Sequence, residues 1–521
     1  MRGASRARVR RRTAAHWPAL LHQLRIAEIR KVLAALAALA ALAGCAATGE
    51  YFGAAGAPPA PQAHALASWP HAELWTGLVF NGQKVGFTHL ALKPAPDEPG
   101  RYAIDSEAAM RLHFLGVDKR ISLRAHDRVR DDLTLESFAY EQDIDGSVLR
   151  VAGRADRQRL EFTVEAAGSR ATRSFVLDAP LYPSSALDLL PVLHGMRVGD
   201  KRRYLVFNGE TQTVDEARQE VTAFESSTLF EGHAFRVTTS MLGLGTTSWI
   251  TPDGRPLLEL SSHGTLVSAL EDEASARRYL VAASLNKNDA LLDYSILRSA
   301  PIAEPRSVAR MRIVLQGVPQ DYPLPSAQGQ NCERTKALLA CTVDRNAGGE
   351  AGERKPPKRY LQPTLAAPSD EGEIVLLARG IAPASVQPAE AVNRILVWMD
   401  ANIAKQATDS FSAVDVLRTR RAECQGHAYL FAALARARGI PTRVVNGLVY
   451  SAEHEGFLFH SWNEVWLAGE GWRPVDPTFG QPLADATHLE LIEGESLGEL
   501  TPLARLVGQL RLVSARAEAR W

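Results

Sequence analysis

The sequence predicts an α+β protein: an N-terminal region of antiparallel β structure, a sandwich or open barrel, followed by a C-terminal α+β domain. Three observations predict this. From Leu74 to about Tyr294, short runs of alternating apolar and polar residues are broken by turn residues at intervals of roughly ten. From 385 the apolar spacing becomes helical, and from Gly456 strict alternation returns. At 521 residues the chain exceeds one ordinary core, so two to four domains are expected.

Composition supports a folded protein, with 46% apolar and 23% charged residues. The net charge is zero, but residues 1–45 carry eight arginines, Lys31 and a single acid, Glu28. The rest is therefore mildly acidic, and clustered Lys and Arg for a nucleic-acid partner are lacking. The basic excess precedes "VLAALAALAALAGC", whose apolar run, Val32–Ala43, is twelve residues long. A helix of that length rises about 18 Å, too short for a hydrocarbon core of about 30 Å. A basic flank, a short apolar run and small residues at its end read as a secretory signal, with an uncleaved signal anchor as the alternative. "LAGC", Leu42–Cys45, resembles the lipobox of bacterial lipoproteins. That resemblance implies lipidation of Cys45, a membrane partner through the lipid, and a periplasmic location. Ala46 in place of aspartate favours the outer membrane.

The expected divisions are this signal at 1–45, a Pro- and Ala-rich tether at 46–72 and a β domain at 73–298, divisible into halves near 180–198. A bridging segment follows at 299–384, then an α+β domain at 385–500 and a tail at 501–521. In the β domain "LWTGLVFNGQKVGFTHLAL" centres on Asn81-Gly82, a strong hairpin signal, and Pro252-Asp253-Gly254 repeats the logic. In the bridge "SVARMRIVLQGV" reads as a strand and "DRNAGGEAGERKPPKR" as an exposed loop. Export would let Cys332 and Cys341 pair across a short loop, or they stay as two thiols.

Cys424 is then the odd cysteine. It precedes an apolar stripe, Ala428, Phe431, Ala432, Leu434 and Ala435, that ends at Gly439 with Pro441 beyond. A cysteine in the first turn meets unpaired N–H groups and the positive end of the helix dipole, which favour a thiolate. The same N–H groups would hold an oxyanion. A thiolate nucleophile needs an imidazole partner, and the imidazole needs an orienting acid. "GFLFHSWNEVWL" supplies His460 on a strand; after the turn "AGEG", "WRPVDPT" supplies Asp476 on the next.

Together "ECQGHAYLFAALARARGIPTRVVNGLVY", "HSWNEVWL" and "GWRPVDPTFG" resemble the transglutaminase-like superfamily, a branch of the papain-like cysteine fold. The resemblance covers roughly 385–500 and extends to exported bacterial members through "DATH", Asp485–His488. It implies that Cys424 is the nucleophile, His460 its base and Asp476 the residue orienting His460. The family commonly has glycine where this chain has Ala422. His427, three residues after Cys424, is a rival base. Cys424, His427, His460 and His488 also read as a zinc set, but no closely spaced Cys or His pairs complete a tetrahedral site, so neither metal nor cofactor is expected. The resemblance implies a protein or peptide substrate in the cell envelope and acyl transfer to water. Its alternatives are transfer to an amine, which crosslinks proteins, or peptide binding without turnover on an envelope scaffold.

Overall fold

The computed structural model describes residues 51–519, apart from 97, 262–263, 325–326 and 348–355. The signal-like segment and Cys45 lie outside the described residues.

The β region forms one continuous, curved sheet of sixteen strands. Most neighbours along the chain are neighbours in the sheet, because tight turns fold each run back on the last. Asn81 and Gly82 take φ of 46° and 77°, the left-handed pair a two-residue hairpin turn needs. Asp145-Gly146, Leu115-Gly116, Ala167-Gly168 and Leu242-Gly243 do the same. Their glycines carry the turn even where the preceding residue is not a turn former.

The two halves meet in the middle of this sheet, where Leu266–Glu271 pairs antiparallel with Glu73–Phe80. They are therefore continuous with each other, and the curvature brings their inner faces together, with the Phe138 and Phe207 ring centroids 4.5 Å apart. The edges, Leu181–Pro183 and Ser169–Val176, do not pair, so the barrel stays open. One pairing departs from the antiparallel expectation: Leu181–Pro183 runs parallel to Lys201–Asn208. The short helix Leu190–His194 between them lets the chain return in the same direction. Ile104, Val129, Leu160, Phe162, Phe207 and Ile250 belong to the core of this domain. Part of the expected tether is also structured, since Phe52–Ala54 pairs with Thr213–Ser227.

In the C-terminal region, helices Gly372–Ile381, Pro388–Asn402 and Ala413–Thr419 surround the helix Cys424–Ala437. From Gly426 to Arg436 every residue of that helix is buried, which suits a sequence apolar on nearly all sides. It packs on a five-stranded sheet built around Thr442–Ser451 and Gly456–Leu467. Gly439, at φ 75°, stops the helix as its position predicts.

The bridging segment supplies the strands Val308–Gln316, Gln330–Arg334 and Leu338–Asp344. Cys332 lies opposite Cys341 in this sheet, and the two form a disulfide. The expected tail is corrected here. Its strand Arg511–Ala519 pairs along Val308–Gln316, because alternating residues such as Leu512 and Ala515 pack on the bridge's apolar face.

Candidate active site

Cys424 occupies the first position of its helix, as the sequence predicts. The preceding residue, Glu423, is the N-cap. Its carboxylate accepts from the backbone N–H of Gln425 at 2.6 Å and of Gly426 at 2.7 Å. It also accepts from the Cys424 thiol at 3.2 Å. Gly426 is needed for this start: a Cβ there would lie 2.7 Å from the Cβ of Ala422 and 3.0 Å from Cγ2 of Val416. Ala422 itself is buried in a two-residue parallel pairing with Ala404–Lys405.

This cap bears on two expectations. The N–H groups of Gln425 and Gly426 are taken, so they are not open to an oxyanion. The thiol is also not activated at rest. Burial of the sulfur, then the charge and hydrogen bond of Glu423, push it well above its ordinary range; the Ser461 backbone N–H, which donates toward the sulfur, works in the opposite sense. Glu423 is in turn raised to about 7, by burial and by the charge of Asp409. Asp409 belongs to a loop clamped to the β domain, where the Lys119 ammonium donates to it at 2.5 Å and faces Asp145 at 3.3 Å.

His460 sits within Gly456–Leu467, next to the Ser461 whose N–H faces the thiol. Asp476 follows the strand Gly471–Val475 and is pinned by a backbone pairing with Gln481. His460 Nε2 donates to Asp476 Oδ2 at 2.8 Å, which leaves Nδ1 as the ring nitrogen available to a thiol. The imidazole is held in plane between Phe479 and Trp462, with ring centroids at 5.2 and 6.1 Å. Asp476 Oδ1 accepts from the N–H of Thr478 at 2.7 Å and of Phe479 at 3.1 Å. Burial would raise this carboxyl, but the charge of His460 and the hydrogen bonds from both His460 and His488 outweigh it and hold it far below the usual carboxylate range.

The sequence signals His488 through "DATH" and as a member of the zinc alternative, neither of which points to a place beside Asp476. His488 Nε2 donates to the same Asp476 oxygen at 2.9 Å. Behind it stands Asp485, whose carboxylate is bound by Arg306 at 2.8 Å and by the Gln481 amide at 3.0 Å. The Arg306 guanidinium also lies 3.9 Å above the ring of Phe479. His460, Asp476 and His488 bring three donor atoms within 4.8 Å of one another, and those atoms are hydrogen-bonded among themselves.

His427 is 1% exposed, and its Nε2 meets no hydrogen-bond partner among the described residues. Its Nδ1 donates to the Glu423 carbonyl at 2.9 Å, and burial keeps the ring neutral. A crevice of about 470 Å³ lies between the β sheet and the helix Cys424–Ala437, walled by Ile121, Leu149, Gln425, Tyr429 and Glu495 among others.

Residues 376–477 match the family model for the transglutaminase-like superfamily. The C-terminal domain is transglutaminase-like. This transglutaminase-like domain shares 33% identity over 111 residues with the kyphoscoliosis peptidase of Mus musculus and 33% over 109 residues with that of Homo sapiens. These alignments cover 19% and 18% of this chain, and the chain spans only 17% and 16% of the relatives' own length. Among solved structures, a candidate cysteine protease from Cytophaga hutchinsonii overlays with a TM-score of 0.28 and 17% identity, covering 40% of this chain and 88% of that one. A beta-barrel-like protein of unknown function from Brucella abortus overlays at 0.29 and 8% identity, covering 38% and 94%. The transglutaminase-like match ends at 477, so Asp485 and His488 lie beyond it and Arg306 lies well before it.

Proposed function

We propose that the chain is a thiol acyltransfer enzyme with Cys424 as nucleophile, His460 as base and Asp476 as the group orienting His460. The observation that carries this reading is the fixed His460–Asp476 pair on the strand whose next backbone N–H, that of Ser461, is directed at the thiol. The helix-start thiol faces the His460–Ser461 backbone, and His460 Nε2 is fixed on Asp476 at 2.8 Å. Because the thiol is held in its neutral form, His460 acts as a general base and not as half of a standing ion pair. Sulfur attacks an amide carbonyl as its proton passes to His460. The tetrahedral intermediate collapses to a thioester, and the departing amine takes that proton from His460. Water then attacks the thioester, loses a proton to His460, and releases the acid and the restored thiol.

The substrate class on this reading is a peptide or amide in the bacterial envelope, with the chain held at the membrane through Cys45. An amine in place of water would give crosslinking by the same two half-reactions. The test is labelling by an electrophilic acyl probe: Cys424→Ala is expected to abolish it, and undiminished labelling would refute the nucleophile. Products made with and without added primary amine distinguish hydrolysis from transfer. Cys45→Ala is expected to move the chain out of the membrane fraction, and its retention there would remove the lipid anchor from the proposal.

One observation favours a second reading, peptide binding without turnover. Glu423 both suppresses the thiolate and occupies two N–H groups of the helix start. A purified protein that binds envelope peptides but forms no thioester at any pH would establish that reading instead.

A further inference from the structure

His488 has two ring nitrogens, and both face acceptors. Nε2 meets the Asp476 carboxylate at 2.9 Å. Nδ1 meets the Asp485 carbonyl at 3.1 Å and its carboxylate at 3.4 Å. None of these oxygens can donate, so a ring carrying one proton would leave a buried lone pair against an acceptor. The geometry therefore requires a proton on each nitrogen, that is, an imidazolium. His460 differs, since only its Nε2 is engaged by a carboxylate.

We propose that His488 is a positioning residue of the catalytic machinery: as a buried cation on the far side of Asp476, it fixes that carboxylate and tempers its pull on His460. This deepens the proposed function and rests on it for the word catalytic, though not for its readout. The charges form a row, from Arg306 to Asp485, His488, Asp476 and His460, in which each carboxylate sits between two bases. Without His488 the charge of Asp476 would bear on His460 alone and favour the protonated ring. A ring that already carries its proton cannot take the one from Cys424. Other groups around His488 fit the assignment. Trp462 and Phe479 contact it through their ring edges or faces, and the Arg345 guanidinium donates to its backbone carbonyl at 3.3 Å. Arg345 is thus the nearest further cation, and it addresses the main chain and not the ring.

The test is histidine-ring nuclear magnetic resonance on the full chain with selectively labelled histidine, the two resonances being assigned by His460→Gln and His488→Gln. In the wild type, the His488 ring is expected to stay doubly protonated from about pH 6 to about pH 8. In His488→Gln, which keeps an amide donor but loses the charge, the His460 midpoint is expected to rise by about one unit. A His488 ring that titrates as an ordinary imidazole, or a His460 midpoint unmoved in His488→Gln, would overturn the proposal. If His488→Gln does not fold, Asp485→Asn carries the test: removal of one flanking carboxylate is expected to bring the His488 titration into that window, and no change would overturn the assignment. A purely structural His488 would alter stability in these variants without moving the His460 midpoint. Loss of the proposed nucleophile in the labelling experiment would leave all these titrations readable, so the two ideas fail separately.

Discussion

The carboxylate of Glu423 hydrogen-bonds the thiol of Cys424 at 3.2 Å while capping the helix that this cysteine begins. A helix start ordinarily favours a thiolate, but here a negative group stands between the dipole and the sulfur. Glu423→Gln removes that charge and keeps a side-chain oxygen for the cap. Alkylation of Cys424 by iodoacetamide at pH 7, followed by mass spectrometry, is expected to be about tenfold faster in this variant, the equivalent of about one unit in the thiol. An unchanged rate would show that burial alone suppresses the thiolate.

The same residue sets a pH dependence of stability. The carboxyl of Glu423 is raised from its ordinary range to about 7, so in the window between the two values the folded state binds more protons than the unfolded state. Stability is therefore highest at the acidic side and falls as pH rises through that window. Wild type is expected to lose stability relative to Glu423→Gln between about pH 5 and about pH 8, as read by denaturant midpoints. A constant difference across that range would contradict the shift.

Asp476 receives two histidines and two backbone N–H groups, and it is fully buried. Asp476→Asn presents an amide nitrogen or a single weaker acceptor to His460, which then loses its fixed tautomer. Acyl-probe labelling of Cys424 is expected to slow by about 10² to 10⁴. Circular dichroism on the same sample separates this loss from unfolding.

Lys119 is nearly buried between Asp145 and Asp409, and it joins the β domain to the loop whose charge reaches Glu423. Lys119→Met leaves the two carboxylates facing each other and is expected to cost about 3 kcal/mol, with part regained in Lys119→Met/Asp409→Asn. Urea unfolding of the four members of this cycle measures the coupling. Strict additivity would mean that the pair does not link the domains energetically.

The Cys332–Cys341 disulfide closes a separation of nine residues between adjacent strands. Reducing it is expected to lower stability by about 2–3 kcal/mol, chiefly by freeing the unfolded chain, with thiol counts before and after reduction as the check.

The local rules carried far along this chain. Asn81-Gly82 announces its hairpin because the backbone angles are a property of two residues. Cys424 at a helix start, with His460 on a strand and Asp476 just past the end of the next, is legible because each signal lies within a short window. What stayed hidden depends on partners far apart in sequence. Nothing in Leu266–Glu271 says that it will choose Glu73–Phe80, since both are half-apolar strands open to many pairings. Arg306 and Asp485 are 179 residues apart and are ordinary charged residues until the fold joins them. The effect of Glu423 stays hidden for a different reason: helix-start rules describe the backbone dipole, while the charge beside this thiol depends on which side chain caps the helix.

The pairing of Arg511–Ala519 with Val308–Gln316 has a consequence for the order of assembly. A chain that emerges from its N-terminus can complete the curved β sheet once residue 271 is available. The bridging sheet cannot close until its last strand, nearly two hundred residues behind its partner, has been made. During that interval Val308–Gln316 keeps one edge open, and an open edge is a template for foreign strands. The Val308 carbonyl also accepts from the N–H of Ala486, two residues before His488, so the backing of the thiol centre waits on a strand made nearly two hundred residues later.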